Sequence, residues 1–228
     1  MPLPGCEPPL LPTLRKDAKN GAPQIGVVEA FVLAGGRSTR MGRDKALLPV
    51  QGRPLIEHAL EKLAAVCADP RIAGSRPDLA AFAPVVEDLH PGLGPLGGIE
   101  AALAASRAEL NLFIPVDVPL LPVEFLRWIV ARSEVTYALA TIPLLGGRQQ
   151  PLCAVYHRDL FPEISKALEQ GDAKVMRAIA EASRELSRPL DLFCVEAVAP
   201  TQTEWPVEPP PHRWFQNLNR PEDLDAVA

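Results

Sequence analysis

The stretch that decides the fold lies at residues 28–45 and reads Val-Glu-Ala-Phe-Val-Leu-Ala-Gly-Gly-Arg-Ser-Thr-Arg-Met-Gly-Arg-Asp-Lys. Its first seven residues are mostly apolar and two glycines end the run, which is typical of a buried parallel strand that leads into a loop. The loop combines glycines, which let backbone N–H groups approach an anion closely, with arginines and a lysine. The pattern predicts a phosphate-binding loop, although it matches neither the Walker nor the dinucleotide-binding pattern. A solvated basic loop is the alternative.

The order of strand, loop and helix recurs after this stretch. Pro54 opens a helical pattern, short apolar runs follow at 72–73 and 84–86, and a stronger one lies at 111–116. Repeats of this kind predict an α/β fold: a doubly wound, mostly parallel sheet with helices on both faces.

Three of the loops carry polar residues and each follows a predicted strand. They span residues 35–45, 88–98 and 117–119. Because ligands bind beyond the carboxyl ends of parallel strands, we expect the three loops to converge on one edge of the sheet. Asp117 at a strand end is well placed for a hard cation such as Mg²⁺, and a helix-capping role is its alternative. Asp88 also ends a strand, and a turn residue is the alternative there.

The size of the chain limits it to one domain. With 228 residues, 47% of them hydrophobic, it can bury one full α/β core. Residues 1–26 are rich in proline and lack periodicity, so we expect a poorly ordered N-terminal extension before a single domain over 27–228.

Charge and cysteine content exclude several functions. The net charge is −5 without a basic run, which argues against a nucleic-acid partner. No apolar run is long enough to span a membrane, so we expect no membrane partner. The four cysteines stand apart in the sequence, which favours reduced thiols in a cytoplasmic protein over a zinc site or disulfides.

The motif Leu33–Lys45 resembles the signature of the molybdenum cofactor guanylyltransferases, nucleotidyltransferases of the MobA-like type with a Rossmann-like fold. Four later segments resemble further blocks of that family in the same order: residues 91–99, 115–119, 150–156 and 217–224.

The resemblance implies roles for individual residues. Lys45 would bind the nucleotide phosphates, Asp88 would contact the nucleoside, and Asp117 would hold Mg²⁺ beside the triphosphate. Lys45, Asp117 and Arg40 would be the catalytic residues. The nucleotide site would be lined by Leu33, Ala34, Gly35 and Gly36.

The acceptor site is placed by the same resemblance near the end of the sequence. Asn217 and Asn219 would lie near the pterin or the acceptor phosphate, and turn residues that cap a final helix from Pro221 are the alternative. The sequence departs from the family here, since Arg220 replaces a common threonine and the loop 199–212 is long.

The implied reaction transfers GMP from GTP to the molybdopterin-type molybdenum cofactor and releases pyrophosphate. Molybdoenzymes or their chaperones would be the further partners. The alternatives are a cytidylyltransferase for the same cofactor, which usually carries alanine where this chain has Gly35, a nucleotidyltransferase for another phosphorylated acceptor, and a non-catalytic nucleotide-binding protein of this fold.

Overall fold

The structure is a computed structural model that describes residues 28–35 and 44–218. Several predictions lie outside these residues: the N-terminal extension 1–26, the loop residues Gly36 and Arg40, Asn219, and the final helix from Pro221.

One mixed sheet organises the described chain. Eight strands form it, and seven of them follow the order β10-β7-β9-β6-β1-β4-β5, with β8 beside β7. The prediction of a mostly parallel sheet is confirmed, because only β8 and β9 run antiparallel to their neighbours in it. The strands are β1 (Val28–Leu33), β4 (Arg71–Ala73), β5 (Val85–Val86), β6 (Leu110–Pro115), β7 (Ala140–Leu145), β8 (Arg148–Gln149), β9 (Ala154–His157) and β10 (Leu190–Cys194), while β2 (Pro49–Val50) and β3 (Arg53–Pro54) form a separate hairpin.

The parallel strands end at the same level. Leu33, the last residue of β1, lies opposite Ala73 of β4 on one side and Pro115 of β6 on the other. The loops that follow these three strands therefore leave the sheet side by side, as the sequence predicted.

Strand β9 reaches this edge from the opposite direction. It pairs antiparallel with β6 so that Ala154, its first residue, lies opposite Phe113. Residues just before β9, including Cys153, consequently lie beside the end of β6.

Helices cover both faces, and the buried side chains separate into two main clusters accordingly. One cluster contains residues of α1 and α3 and the other contains residues of α2, α4 and α5. The helices are α1 (Leu55–Ala64), α2 (Pro95–Ala105), α3 (Val123–Thr136), α4 (Phe161–Glu169), α5 (Val175–Glu185), and the one-turn α6 (Val195–Val198) and α7 (Pro211–Trp214). Within the two described ranges, no helix is both long and apolar enough to cross a bilayer.

Helix α2 begins earlier than its composition suggests. The pattern predicts a glycine-rich loop to Gly98 and a helix from Ile99, whereas the helix starts at Pro95. Proline suits a first helical position, since its missing N–H has no partner there in any case. Gly98 suits the close packing of this turn: a Cβ placed on it would lie 3.6 Å from both Asp88 Oδ1 and Leu33 Cδ2.

Two predicted strands are shorter than expected. The sequence favours β structure over 135–142, but α3 continues to Thr136 and ends at Tyr137, which has a left-handed φ of 51°. The strand predicted over 192–198 ends at Cys194, and α6 follows it. In both places β-branched residues lie in helices, because tertiary context overrides local propensity.

The loop 199–212 is packed rather than open. Trp205 and the fully buried Trp214 lie against Phe125 of α3, with ring centroids 5.5 and 5.6 Å away. The Trp214 indole N–H donates to the Pro209 carbonyl at 2.6 Å. From this aromatic anchor the chain returns to the end of β6, where the Leu218 amide donates to the Asp117 carbonyl at 2.9 Å.

Candidate active site

The end of β1 forms the centre of the candidate site. The Ala34 amide donates to the Ala73 carbonyl at 3.1 Å, and the Val116 amide donates to the Leu33 carbonyl at 3.2 Å. Leu33 and Ala34 are buried, whereas Gly35 is exposed. A Cβ added to Gly35 would meet no atom of the described residues within 4 Å.

Gly74, the residue after β4, packs closely against Gly35. Its φ of +134° belongs to glycine, and a Cβ on it would lie 3.0 Å from the Gly35 amide nitrogen. Any side chain at position 74 would therefore displace Gly35. Gly74 gives no distinctive signal in the sequence, because an isolated glycine after a short strand is common in loops.

Lys45 and Asp117, predicted from separate motifs, meet at the edge of the sheet. The Lys45 ammonium lies 3.0 Å from Asp117 Oδ2, and the two side chains are 20% and 14% exposed. Lys45 opens a short 3₁₀ turn, and the Asp44 carboxylate caps that turn by accepting from the Ala46 amide at 3.0 Å. The pair offers a cation to a phosphate and a carboxylate to a metal ion within one partly shielded place.

Arg76 holds the Lys45 turn in place. Only 3% exposed, it donates from Nη1 to Asp44 Oδ1 at 3.2 Å and from Nε to Asp78 Oδ1 at 2.9 Å. The hydrogen bond to Asp78 and the charge of Asp44 raise the pKa of Arg76, although burial opposes them. The guanidinium thus ties the loop after β4 to the residue that precedes Lys45, a contact that sequence analysis missed.

Asp88 carries an unsatisfied polar atom. Its Oδ1 is buried, and among the described residues no donor lies within hydrogen-bonding distance of it. A buried oxygen without a donor costs free energy, so the position suits a ligand that brings a donor.

The turn after β6, residues 117–121, carries Asp117 and is fixed from two sides. From α1, Lys62 Nζ donates to the Pro119 carbonyl and, at 2.7 Å, to the Leu121 carbonyl. From the returning chain, the Leu218 amide bonds to Asp117, which brings the exposed Asn217 to the same edge.

Cys153 lies near Asp117 as a protonated thiol. Burial and the negative charge of Asp117 both raise its pKa, which disfavours the thiolate that nucleophilic attack requires. Over the described ranges, no three His, Cys, Asp or Glu side chains are grouped as a metal site made by protein alone.

The sequence matches the family model of the MobA-like NTP transferase domain over residues 30–186, more than half of the chain. The chain belongs to the MobA-like NTP transferase family.

Named relatives agree with this family. The probable molybdenum cofactor guanylyltransferase of Bacillus cytotoxicus is 32% identical over 203 residues, which cover 86% of this chain and 94% of the relative. The molybdenum cofactor guanylyltransferase of Vibrio cholerae is 35% identical over 153 residues, covering 64% of this chain and 73% of the relative. In three dimensions, the molybdopterin-guanine dinucleotide biosynthesis protein A of Archaeoglobus fulgidus matches with a TM-score of 0.69 and 26% identity, over 87% of this chain and 96% of that one.

This MobA-like transferase is therefore a nucleotidyltransferase with a Rossmann-like fold, and both sequence-based predictions are confirmed. The structure brings five of the predicted residues to one edge of the sheet: Leu33, Ala34, Gly35, Lys45 and Asp117. Asp88 borders this group through Gly98 of α2.

Proposed function

We propose that this chain transfers GMP from GTP to the molybdopterin-type molybdenum cofactor, which yields the guanine dinucleotide cofactor and pyrophosphate. The observation that carries the proposal is the Lys45–Asp117 pair, 3.0 Å apart where the parallel strands end. The names of the Vibrio and Bacillus relatives support the choice of guanine and of the acceptor.

The reaction is a direct displacement at phosphorus. A terminal phosphate oxygen of the acceptor forms a bond to the α-phosphorus of GTP, and the bond from that phosphorus to the β-phosphate oxygen breaks. The electron pair leaves with pyrophosphate, so no covalent protein intermediate is needed. The protein contributes positioning and charge neutralisation, and we assign these to Lys45 and, from the family resemblance, to Arg40.

Mg²⁺ fits the donors at the end of β6. Asp117 offers a carboxylate, and Mg²⁺ commonly binds one or two protein carboxylates together with substrate phosphates and water. When bound there, the ion would neutralise charge on the reacting phosphates. Asp117 would hold the ion, and Lys45 would bind a phosphate oxygen.

The nucleoside would lie over the end of β1. Gly35 carries no Cβ, so its backbone could approach the base closely. The unsatisfied Asp88 oxygen would accept a hydrogen bond from the nucleoside. Leu33, Ala34 and Gly36 complete the proposed nucleotide site.

The acceptor would bind near Asp117, where the returning chain meets the end of β6. Asn217 precedes the Leu218 amide that bonds to Asp117, and this position supports its assignment to the acceptor site. We assign Asn219 to the same site from the family resemblance alone.

The deciding experiment supplies the purified protein with Mg²⁺, the molybdopterin cofactor and each of the four NTPs in turn, and measures dinucleotide product and pyrophosphate. GTP should give the highest kcat/KM. A preference for CTP would identify a cytidylyltransferase, and turnover only with a sugar or isoprenoid phosphate would change the acceptor. Binding of nucleotide without any turnover would identify a non-catalytic protein.

A further inference from the structure

The turn 117–121 has little support from its own backbone. Pro119 has no N–H to donate, and within the described residues the bond internal to the turn runs from the Leu121 amide to the Val118 carbonyl at a long 3.3 Å. Leu121 is fully buried, so its carbonyl needs a donor that is not water. The turn that presents Asp117 therefore depends on partners from elsewhere in the chain.

Lys62 is the side chain that supplies these donors. Its ammonium bonds to the carbonyls of Pro119 and Leu121 and so spans the turn like a bridge. It reaches there from the last turn of α1, a helix that otherwise presents buried apolar residues to the sheet.

The position is costly for a lysine. Burial lowers the pKa of Lys62 to about 8, against opposing attraction from Glu124 and Glu61. Lysine is seldom buried unless it is paired, whereas an apolar residue at this position would pack without that penalty. The hydrogen bonds to the Pro119 and Leu121 carbonyls offset this desolvation cost.

We propose that Lys62 is a positioning residue of the transfer reaction: by binding the Pro119 and Leu121 carbonyls, it fixes Asp117 relative to Lys45. It touches neither substrate nor metal, and it acts only through the turn. The inference rests on the proposed function, since it assigns Asp117 to the reacting phosphates. It concerns rate more than nucleotide binding, because a misplaced catalytic group costs turnover first.

Arg127 provides a matched control. It also joins α1 to the α3 region through a cation and a backbone carbonyl, with Nη2 and Nε of Arg127 at 3.1 and 3.3 Å from the Ala65 carbonyl. This contact lies just beyond the end of α1, comes from an exposed side chain, and ends on the Ala65 carbonyl rather than on a carbonyl of the 117–121 turn. Loss of Arg127 should loosen the helix pair without moving the turn.

The experiment compares Lys62→Met, Lys62→Arg and Arg127→Met with the wild-type protein. For each we would measure kcat and KM for GTP, the melting temperature, and amide hydrogen exchange of residues 116–121 and of Leu218. Lys62→Met should lower kcat about 10- to 100-fold, the range expected when a group near the reacting atoms is misplaced. KM for GTP should change less, exchange at Leu218 should become faster, and Lys62→Arg should restore part of kcat.

Arg127→Met should leave kcat and Leu218 exchange unchanged. The proposal is overturned if Lys62→Met lowers only the melting temperature, as a purely structural lysine would. Should Lys62→Met not fold, Lys62→Gln, which keeps one amide donor, takes its place with the same expectations at smaller size. If wild-type protein shows no transfer from GTP, the proposed function fails, while unchanged Leu218 exchange would separately refute the role of Lys62 in the turn.

Discussion

The carboxylates Asp117 and Asp191 lie in different halves of the sheet and have different kinds of partner. In the parallel half, β5-β4-β1-β6, the strands lead into Asp88, Gly35 and Asp117, and the Asp117 carboxylate lies 3.0 Å from the Lys45 ammonium. In the mixed half, β9-β7-β10, the Asp191 carboxylate of β10 is paired within the protein. It accepts two hydrogen bonds from Arg132, at 2.6 and 2.8 Å.

The comparison shows how an aspartate can either stabilise the fold or remain available to a ligand. The Arg132 guanidinium fits Asp191 in a two-point contact and also lies over the Phe193 ring, 5.0 Å from its centroid, so the pair is closed. Lys45 meets Asp117 through a single point charge on a flexible stem, which can turn to another anion. Exposure does not separate the two carboxylates, which are 14% and 12% exposed. The partner decides the role.

The largest expected effect tests this contrast directly. Asp117→Ala should reduce GMP transfer about 100-fold or more while the protein stays folded, because it removes a key electrostatic group. Asp191→Ala should leave turnover nearly intact but lower the free energy of unfolding by about 1–3 kcal/mol, since the half-buried Arg132 donors lose their acceptor. Steady-state kinetics and urea unfolding of both variants make the comparison. Equal loss of turnover in the two would remove the distinction between the halves.

A substitution at Gly35 sharpens the account of the open edge. An added methyl should crowd a purine more than a pyrimidine, so Gly35→Ala should lower kcat/KM for GTP about 10- to 200-fold more than for CTP. The control in the mixed half is Gly147→Ala, at a turn residue with φ +73°, which should cost stability without altering the GTP/CTP ratio. An unchanged ratio in Gly35→Ala would show that this residue does not contact the base.

Arg76 tests whether buried charge pairs in the parallel half also serve the site. Arg76→Met should raise KM for GTP about 5- to 10-fold, because Asp44 no longer fixes the turn of Lys45, an effect of about 1 kcal/mol in binding. Arg188, which bonds to Asp159 at 2.6 Å and to the Tyr137 carbonyl at 3.1 Å, is the counterpart in the mixed half. Arg188→Met should leave KM unchanged. A normal KM in Arg76→Met would restrict Arg76 to a structural role.

The last test concerns a pH dependence of stability. The pKa of Lys62 is about 8 in the folded chain against 10.5 when unfolded, so between these values the unfolded chain holds a proton that the folded chain has released. Linkage then makes this group's contribution to the free energy of unfolding rise with pH across that window. Urea unfolding at about pH 7.5 and about pH 9.5 should show that Lys62→Met has lost this rise.

The Cys67 thiol titrates close to the same window, with its pKa raised to about 11 by burial and by the charge of Asp69, and it opposes the rise. Because Cys67 is present in both proteins, its contribution cancels when the two pH differences are subtracted. An identical pH response in wild type and Lys62→Met would contradict the buried charge at position 62.

The parallel half was readable from sequence because its signals are local. Apolar runs that end in glycine or aspartate predicted where β1 and β6 stop, and parallel pairing then required Lys45 and Asp117 to approach each other. Arg76 and Lys62 were not readable. Arg76 bonds to Asp44, which lies 32 residues earlier in the sequence, and no local pattern links the two. Lys62 bonds to backbone carbonyls, and such bonds leave no pattern of residue types along the chain.

Packing of the later segments was also beyond local patterns. Val135 favours a strand by itself, yet it lies in the last turn of α3, which ends only at the left-handed Tyr137. The prolines of 199–212 indicated an extended loop, while the decisive contacts there are those of Trp205 and Trp214 with Phe125 on a distant helix. Such contacts become visible only when the helix and the loop are placed together.

The hydrogen bond from the Leu218 amide to the Asp117 carbonyl joins two residues that lie far apart in the sequence. Asp117 leaves the ribosome long before Leu218, so a growing chain can pair β1, β4 and β6 while this tie is still missing. Contacts between residues so far apart in sequence also form late for entropic reasons. A chain that stops before Leu218 can therefore form the strands of the site, but it lacks this hydrogen bond. Its Asp117 turn would then be held by Lys62 without the support of the Leu218 amide.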